Sequence, residues 1–250
     1  MQETFALELR NLDRGHLVFS SRHGGVSKEP YGSLNIAKHV GDNESNAQKN
    51  REILRDSIAS EVEVPELETW VFMNQIHENI IFDTDEQEYD HKNPPTADAL
   101  ITTKKNLPLV TMTADCGPLV ISNEEVLGVV HASWKTVRKG IIESTVEKIK
   151  TKSQKPLSGL LGPCIYPHNF EFSRDLLEEL VKEMGECARG KTREGNSAFD
   201  LPGTIRAKCA QLEVGFNEVG FDTYDSPNLF SFRRNNVTGR QATIAWLSDD

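Results

Sequence analysis

The chain has 250 residues, of which 38 are acidic and 28 basic, so its formal net charge at pH 7 is −10. This charge disfavours nonspecific binding to nucleic acid or to an anionic membrane surface. Hydrophobic residues make up 37% of the chain, a globular composition that excludes wholesale disorder. The sequence has neither a membrane-helix pattern nor a signal-peptide pattern. We therefore expect a cytoplasmic protein with no nucleic-acid or membrane partner.

Short apolar runs and amphipathic segments alternate along the chain. Helices are predicted over residues 44–59, with Asn43 as N-cap, and over residues 135–152, 173–184 and 202–212. Strands rich in β-branched and aromatic residues are predicted over residues 16–20, 69–76, 79–82, 99–102, 109–113, 119–122, 126–131 and 241–247. This mixture predicts the α/β (mixed α+β) class, with mixed sheets flanked by helices in a single domain covering residues 1–250.

Three candidate metal ligands lie at the ends of apolar runs. His77 follows WVFMNQI, Cys116 lies in TADCGP after LVTMT, and His131 closes VLGVV. Residues at strand ends can meet although they are far apart in sequence. Two imidazoles and one thiolate would leave the fourth position of a zinc ion open, as catalytic zinc sites do. The residues alone leave two alternatives open: Cys116 as a nucleophile activated by His131, or three unrelated side chains.

A second group of residues has the chemistry to bind an anion. The stretch SSRHGGVSKEPYGSLN, residues 20–35, combines tight turns at Gly and Pro with the donors Arg22 and Asn35. Lys135 lies at the start of the predicted helix after His131, where a cation opposes the helix dipole unless an anion binds there. Arg51, on the first helix, is a further candidate. A plain surface loop and a solvated helix face are the alternative interpretations.

Short blocks in a fixed order carry a family resemblance. They read SRHGGVS, PYGSLN, HVGD, QIH, ADALIT, TADCGPL, VHASW, GPCI, SFRR and GRQ, from residue 21 to residue 241. Together they resemble the YfiH-like laccase-domain family, also described as multicopper polyphenol oxidase-like proteins and as purine nucleoside phosphorylases. The resemblance covers nearly the whole chain.

The resemblance implies a fold akin to the catalytic domain of cytotoxic necrotizing factor toxins. It implies a catalytic zinc held by His77, Cys116 and His131, and copper binding in vitro is a further expectation, since copper(II) outcompetes zinc at many sites. It implies phosphorolysis of adenosine, inosine, guanosine and methylthioadenosine, and deamination of adenosine. Purine nucleosides and inorganic phosphate would be the partners of a monomer or small homo-oligomer.

The candidate substrate contacts follow from combining the resemblance with the anion-binding residues. Arg22, Asn35 and Lys135 are expected to contact phosphate or ribose, with Arg51 as a weaker candidate. Asp115, beside Cys116, is expected to orient a histidine or to have a structural role, with proton transfer as the alternative.

One block departs from the family's pattern. Where the family has A-H-A-G-W-R-G, this chain has HASWKT over residues 131–136. Ser133, Lys135 and Thr136 therefore replace two glycines and an arginine. Lysine keeps the charge but lacks the bidentate fork for phosphate. The added Cβ atoms are expected to narrow the substrate pocket.

Three other functions stay open at this point. They are a copper-binding polyphenol oxidase, a metal-free cysteine hydrolase acting on cell-wall precursors, and a binding module that senses a nucleotide or a partner without turnover. The chain has 7 histidines and no His-x-His pair, whereas a multicopper laccase needs many paired imidazoles. This count argues against a multicopper enzyme.

Overall fold

The structure is a computed structural model that describes residues 6–12 and 14–249. Its strands are β1 (Ala6–Leu12), β2 (Gly15–Ser20), β3 (Ile81–Asp83), β4 (Ala99–Thr102), β5 (Leu109–Thr113), β6 (Gly117–Ser122), β7 (Leu127–Ala132), β8 (Leu157–Leu161), β9 (Arg189–Lys191), β10 (Ser197–Phe199), β11 (Val214–Glu218) and β12 (Gln241–Leu247). Its helices are α1 (Glu44–Ala59), α2 (Trp134–Arg138), α3 (Ile141–Lys150), α4 (Arg174–Met184), α5 (Leu201–Gln211) and α6 (Phe232–Asn235). None of the helices in the described ranges is long and apolar enough to cross a membrane.

The strands form two large sheets and one hairpin. A four-stranded antiparallel sheet has the order β1-β2-β12-β5. A six-stranded mixed sheet has the order β11-β8-β6-β7-β4-β3, with parallel pairs at both edges. Strands β9 and β10 pair separately. The predicted mixed α/β class is therefore confirmed.

The two large sheets pack face to face, and helices cover both outer faces. Side chains alternate between the faces of a strand, so Leu17 and Phe19 of β2 pack between the sheets while Val18 packs toward α1. In β6, Val120 points to the four-stranded sheet, whereas Leu119 packs against α3, α4 and α5. The result is a four-layer arrangement of helix, sheet, sheet and helices.

The predicted helix over residues 135–152 is wrong, because the structure has two helices there. Gly140 separates α2 from α3 and has a φ of +82°, in the left-handed region that glycine adopts readily. The Asn79 amide donates to the Lys139 carbonyl at 2.8 Å, so this carbonyl at the break has a hydrogen-bond partner. By contrast, α1 spans the predicted residues 44–59, and Asn43 caps it through the Ser45 N–H.

The predicted strand over residues 69–76 is also wrong. A short 3₁₀ turn, Leu67–Thr69, leads into an extended segment with isolated bridges at Val71 and Asn74. The apolar alternation is real, since Trp70 and Phe72 pack toward α1 while Val71 and Met73 pack between the sheets. Burial on two sides therefore explains the pattern without a continuous strand. Strands β1, β8, β9, β10 and β11 are further strands that the sequence pattern did not predict. Ser158 and Gly159 interrupt the apolar run of β8, β9 and β10 have three residues each, and β1 and β11 mix apolar with polar residues.

Candidate metal centre

His77, Cys116 and His131, here called the ligand trio, come together in the structure. Their ligand atoms all lie within 4.8 Å of one another. The imidazole rings of His77 and His131 have centroids 4.8 Å apart and meet edge to face at 78°. Two nitrogens and one sulfur at this spacing fit one tetrahedral ion with a fourth position open.

Each member of the trio is positioned by a different piece of backbone. His131 is near the end of β7, on the same face as Val129, which packs between the sheets. Cys116 is in the short crossover, residues 114–116, that carries the chain from β5 in one sheet to β6 in the other. His77 follows the extended segment and has a φ of +64°, a left-handed conformation that costs a non-glycine residue about 1–3 kcal/mol.

One buried carboxylate, that of Asp98, organises two members of the trio. Asp98 Oδ1 accepts hydrogen bonds from His131 Nδ1 at 2.8 Å and from the His77 backbone N–H at 3.0 Å. Its Oδ2 accepts from the Glu78 N–H at 2.7 Å, and the side chain is 0% exposed. Because His131 Nδ1 donates to Asp98, Nε2 is the nitrogen that can bind a metal, once it has lost its proton. Asp98 also supports the strained backbone of His77.

The electrostatics of the trio favour the thiolate. Burial acts to raise the pKa of Cys116, but the charge of His131 and hydrogen bonds from both histidines lower it to about 6. Burial acts to lower the pKa of His131, but the Cys116 charge and the Asp98 hydrogen bond raise it to about 9. The metal-free pair is therefore thiolate and imidazolium at neutral pH, and thiolate is the form of cysteine that binds metals.

Asp115 anchors the crossover that carries Cys116. Its φ is +102°, and its side chain is 7% exposed. The carboxylate accepts hydrogen bonds from Thr223 Oγ1 at 2.7 Å and from the Arg233 N–H at 2.6 Å. These bonds tie the cysteine crossover to the C-terminal part of the chain, which is a structural role. The carboxylate that bonds a histidine of the trio is Asp98 instead.

The trio lines a cavity of about 390 Å³, here called the main cavity. Its wall includes the aromatic side chains of Trp134 and Phe170 and three cations, Lys135, Arg233 and Arg240. Arg233 and Arg240 donate to backbone carbonyls. Among residues 14–249, no carboxylate forms an ion pair with any of the three. The three cations are therefore not ion-paired, although the Asp115 carboxylate and Cys116 line the same cavity and their charges act on Arg240.

Two of the predicted substrate contacts lie outside the main cavity, whereas Lys135 lines it. Arg22 Nε donates to the Gly32 carbonyl at 2.8 Å. Asn35 is 0% exposed, and its amide donates to Asp42 at 2.9 Å and accepts from the Arg240 N–H at 3.0 Å. Both side chains are used to shape the loop, although Asn35 supports the backbone of a cavity-lining arginine.

Arg51 also lies outside the main cavity, on the side of β5 that faces α1. Its Nε donates to the Ile36 carbonyl at 3.0 Å, and its guanidinium stacks on Phe72 at 3.7 Å from the ring centroid. Arg51 Nη2 lies 3.9 Å from the sulfur of Met112, a residue that lines the main cavity. Met112 therefore separates Arg51 from the ligand trio.

The departures at Ser133 and Thr136 build the start of α2. Ser133 accepts from the Thr136 N–H at 3.1 Å and donates its own N–H to Thr136 Oγ1 at 2.8 Å, which forms a capping box. Thr136 Oγ1 also donates to the His131 carbonyl at 2.8 Å, and the residue is 0% exposed. Ser133 lines the main cavity and Thr136 does not, so the threonine supports the backbone of His131, a candidate metal ligand, without entering the pocket.

Sequence reasoning missed several residues of the site. Arg233 and Arg240 lie in the SFRR and GRQ blocks, and Asp98 lies in ADALIT. Their position within these family blocks was the only feature of the sequence that could have marked them as site residues. Gln75 lies in QIH and lines the main cavity, where its amide exchanges two hydrogen bonds with the Met112 backbone, both 2.9 Å.

Comparison with known proteins gives a consistent family. Residues 16–248 match the family described as multi-copper polyphenol oxidoreductase laccase. A Corynebacterium glutamicum protein named purine nucleoside phosphorylase is 34% identical over 239 residues, covering 92% of this chain and 93% of that protein. A Shigella flexneri protein named purine nucleoside phosphorylase YfiH is 31% identical over 235 residues, covering 91% and 92%.

Solved structures agree with the sequence relatives. The crystal structure of the Neisseria meningitidis protein NMB0706 has a TM-score of 0.83 and 26% identity, covering 98% of this chain and 99% of that one. The family match covers the six-stranded sheet, strands β2, β5 and β12 of the four-stranded sheet, and every member of the ligand trio. This chain therefore belongs to the multi-copper polyphenol oxidoreductase laccase family, to which YfiH proteins also belong.

Proposed function

We propose that this protein is a zinc-dependent purine nucleoside phosphorylase that also deaminates adenosine. The observation that carries the proposal is that one cavity combines the ligand trio with the unpaired cations Lys135, Arg233 and Arg240. The names of the Corynebacterium and Shigella relatives support it. Adenosine, inosine, guanosine and methylthioadenosine would be the nucleosides, and inorganic phosphate the second substrate.

The donor set of the trio fits zinc. Two imidazole nitrogens and a thiolate suit this borderline-soft ion, and Asp98 supplies the carboxylate partner that ligating histidines usually have. Zinc bound there would supply a Lewis acid with an open coordination position, which is the chemistry that deamination at purine C6 requires. Copper binding in vitro is expected at the same donors.

Phosphorolysis makes a separate demand on the cavity. The C1′–N9 bond of the nucleoside breaks, a C1′–O bond to phosphate forms, and the purine leaves with a proton. Lys135, Arg233 and Arg240 would hold the phosphate anion beside the cationic sugar, since charged donors in a cavity bind phosphate strongly. The rings of Trp134 and Phe170 would offer flat apolar faces to the purine.

A metal-free cysteine hydrolase is the alternative that one observation favours. Cys116, His131 and Asp98 follow the order of a thiol, a base and an orienting carboxylate. That mechanism gives no role to His77, whose imidazole joins the other two through a strained backbone. A third ligand is what a metal site needs, so the metal-dependent function is the better supported of the two.

The test combines metal analysis with product analysis. Purified protein should contain about one zinc per chain and convert adenosine to adenine with phosphate, and to inosine without it. A chelator and Cys116→Ala should each remove the metal and both products. Cys187→Ala is the matched control, since that half-buried thiol donates to the Met184 carbonyl and lies outside the trio. Turnover that survives chelation but not Cys116→Ala would establish the cysteine hydrolase instead.

A further inference from the structure

A second, smaller cavity lies beside α1, on the opposite side of Met112 from the ligand trio. We call it the Arg51 cavity, and its volume is about 130 Å³. Its polar side chains are those of Lys38, Gln48, Arg51, Glu68 and His91, and the rings of Trp70, Phe72 and Tyr89 contribute most of the rest. No role follows for it from the proposed reaction.

Arg51 is a buried cation whose donors are mostly unused. It is 9% exposed, and its guanidinium has five N–H donors. One donates to the Ile36 carbonyl at 3.0 Å and one points at the Met112 sulfur at 3.9 Å, a weak acceptor. Within residues 14–249 no carboxylate pairs with it. Because a buried charge without a counter-ion is costly, the remaining donors favour an anionic partner.

A second cation faces the same cavity. Lys38 forms no ion pair within the described part of the chain, and burial together with the charge of Arg51 lowers its pKa. Burial likewise lowers the pKa of Arg51 to about 10. Two cations that share a small cavity repel each other unless an anion lies between them. The acidic residue that lines the cavity, Glu68, is exposed and forms no ion pair with either cation.

We propose that the Arg51 cavity binds a phosphate group, supplied as inorganic phosphate or as the end of a phosphate monoester. The guanidinium fork of Arg51 matches the geometry of a tetrahedral oxyanion. Lys38 adds a point charge and the Gln48 amide adds a donor. A cavity of about 130 Å³ has room for such a group and little more.

The experiment measures phosphate binding in the Arg51 cavity and does not depend on turnover. Metal-loaded ¹⁵N-labelled protein is titrated with inorganic phosphate, and NMR monitors the Trp70 indole N–H and the Arg51 Nε–H. Trp70 lines the cavity, so both signals should shift and saturate. Lys38→Met should weaken this binding about tenfold, the effect of losing one charged contact. Arg51→Lys, which keeps the charge but loses the fork, should also weaken it.

Two controls separate this site from surface charge and from the main cavity. Lys49→Met removes the same charge from the exposed face of α1, where Lys49 pairs with Glu52 at 3.0 Å, and should leave the titration unchanged. Lys135→Met alters the main cavity and should leave the Trp70 shift unchanged. Static Trp70 and Arg51 signals, or equal effects of Lys38→Met and Lys49→Met, would overturn the proposal.

A second probe identifies the source of the phosphate group. Methyl phosphate carries the same charged oxygens plus one methyl group. Equal binding of methyl phosphate would support the end of a phosphate monoester as the ligand, and binding of inorganic phosphate alone would support the free ion. Binding of neither would reject the site.

Discussion

The metal centre and the glycine-rich loop of residues 21–42 are both dense in polar side chains, but they use these side chains in opposite ways. In the loop, Arg22 donates to the Gly32 carbonyl and Asn35 donates to Asp42. In the metal centre, Asp98 occupies only Nδ1 of His131, so the other ring nitrogen pairs with the Cys116 thiolate, and both can bind a metal that displaces the proton. The difference shows that a polar side chain can bind a substrate or metal only if the fold leaves its donor or acceptor atoms free. The sequence shows which donors and acceptors exist, but not which of them the fold uses.

The largest expected effect is on stability, from the loop. Asn50 of α1 is 0% exposed and donates to Ser27 Oγ and to the backbone carbonyls of Ser33 and Asn35, at 2.8–3.1 Å. Asn50→Ala should lower the free energy of unfolding by about 2–3 kcal/mol, because several buried groups lose partners. Urea denaturation measures this loss, and zinc content per folded chain should stay unchanged. Lys49→Ala on the exposed neighbouring position should be nearly silent.

A matched pair of carboxylates tests the comparison directly. Asp98→Asn should weaken zinc binding about 10–100-fold, because outer-shell partners of ligating histidines have effects of this size. Asp42→Asn makes the same chemical change in the loop, where Asp42 accepts from Ser27 and Asn35, and should lower stability without changing zinc affinity. Competition with a chromophoric chelator gives both affinities. Equal affinities for the two variants would show that Asp98 does not position the ligands.

Two predicted phosphate contacts now have different expected outcomes. Lys135 lines the main cavity, so Lys135→Met should raise KM for phosphate about tenfold. Arg22 is bonded to the Gly32 carbonyl outside that cavity, so Arg22→Met should leave KM for phosphate within about twofold of the parent value. Initial rates against phosphate concentration measure both values. A larger KM effect from Arg22 would restore the loop as a substrate-binding element.

The smallest expected effect is a nearly flat pH profile. With a pKa of about 6, metal-free Cys116 is already mostly thiolate at pH 7, so its alkylation rate should change by only about a tenth between pH 7 and pH 9. A cysteine with the ordinary pKa of about 8.5 would react roughly twentyfold faster over that interval. Below pH 6 the Cys116 rate should fall as the thiol protonates. Iodoacetamide labelling with peptide mass spectrometry follows the site, and zinc should protect it.

Local signals were enough to predict elements whose structure is decided locally. Helix α1 has an N-cap at Asn43 and an apolar face at Ala47, Leu54 and Ile58, so its bounds follow from neighbouring residues. Strands β5 and β12 combine β-branched runs with burial on both faces. The helix break at Gly140 could not be predicted from neighbouring residues. A single glycine inside a helix costs little, so whether the helix ends there depends on what the following turn packs against.

The parts of the site that sequence could not predict depend on contacts between distant segments. Asp98 reads as one acidic residue before a strand, and only the fold brings it to His131, 33 positions along the chain. Arg240 reaches the cavity because β12 pairs with β5 beside the cysteine crossover. Arg22 and Asn35 offered the right donors, but their acceptors within the loop were not visible in the sequence. The positions of His77, Cys116 and His131 after apolar runs offered the ligand trio only as one of several possibilities, and the family resemblance implied it.

The crossover at residues 114–116 has a thermodynamic consequence. Cys116 lies in the chain segment that connects the two sheets, and His131 belongs to the six-stranded sheet. The segment before His77 is held to β5 of the other sheet by the hydrogen bonds of Gln75 with the Met112 backbone. An ion bound by all three would act as a clamp across the interface between the sheets and would hold only the native arrangement. A ligand of the folded state alone adds about 4 kcal/mol of stability when its free concentration is a thousandfold above Kd. The concentration of available metal would then determine the thermal unfolding temperature of the protein and its resistance to proteolysis.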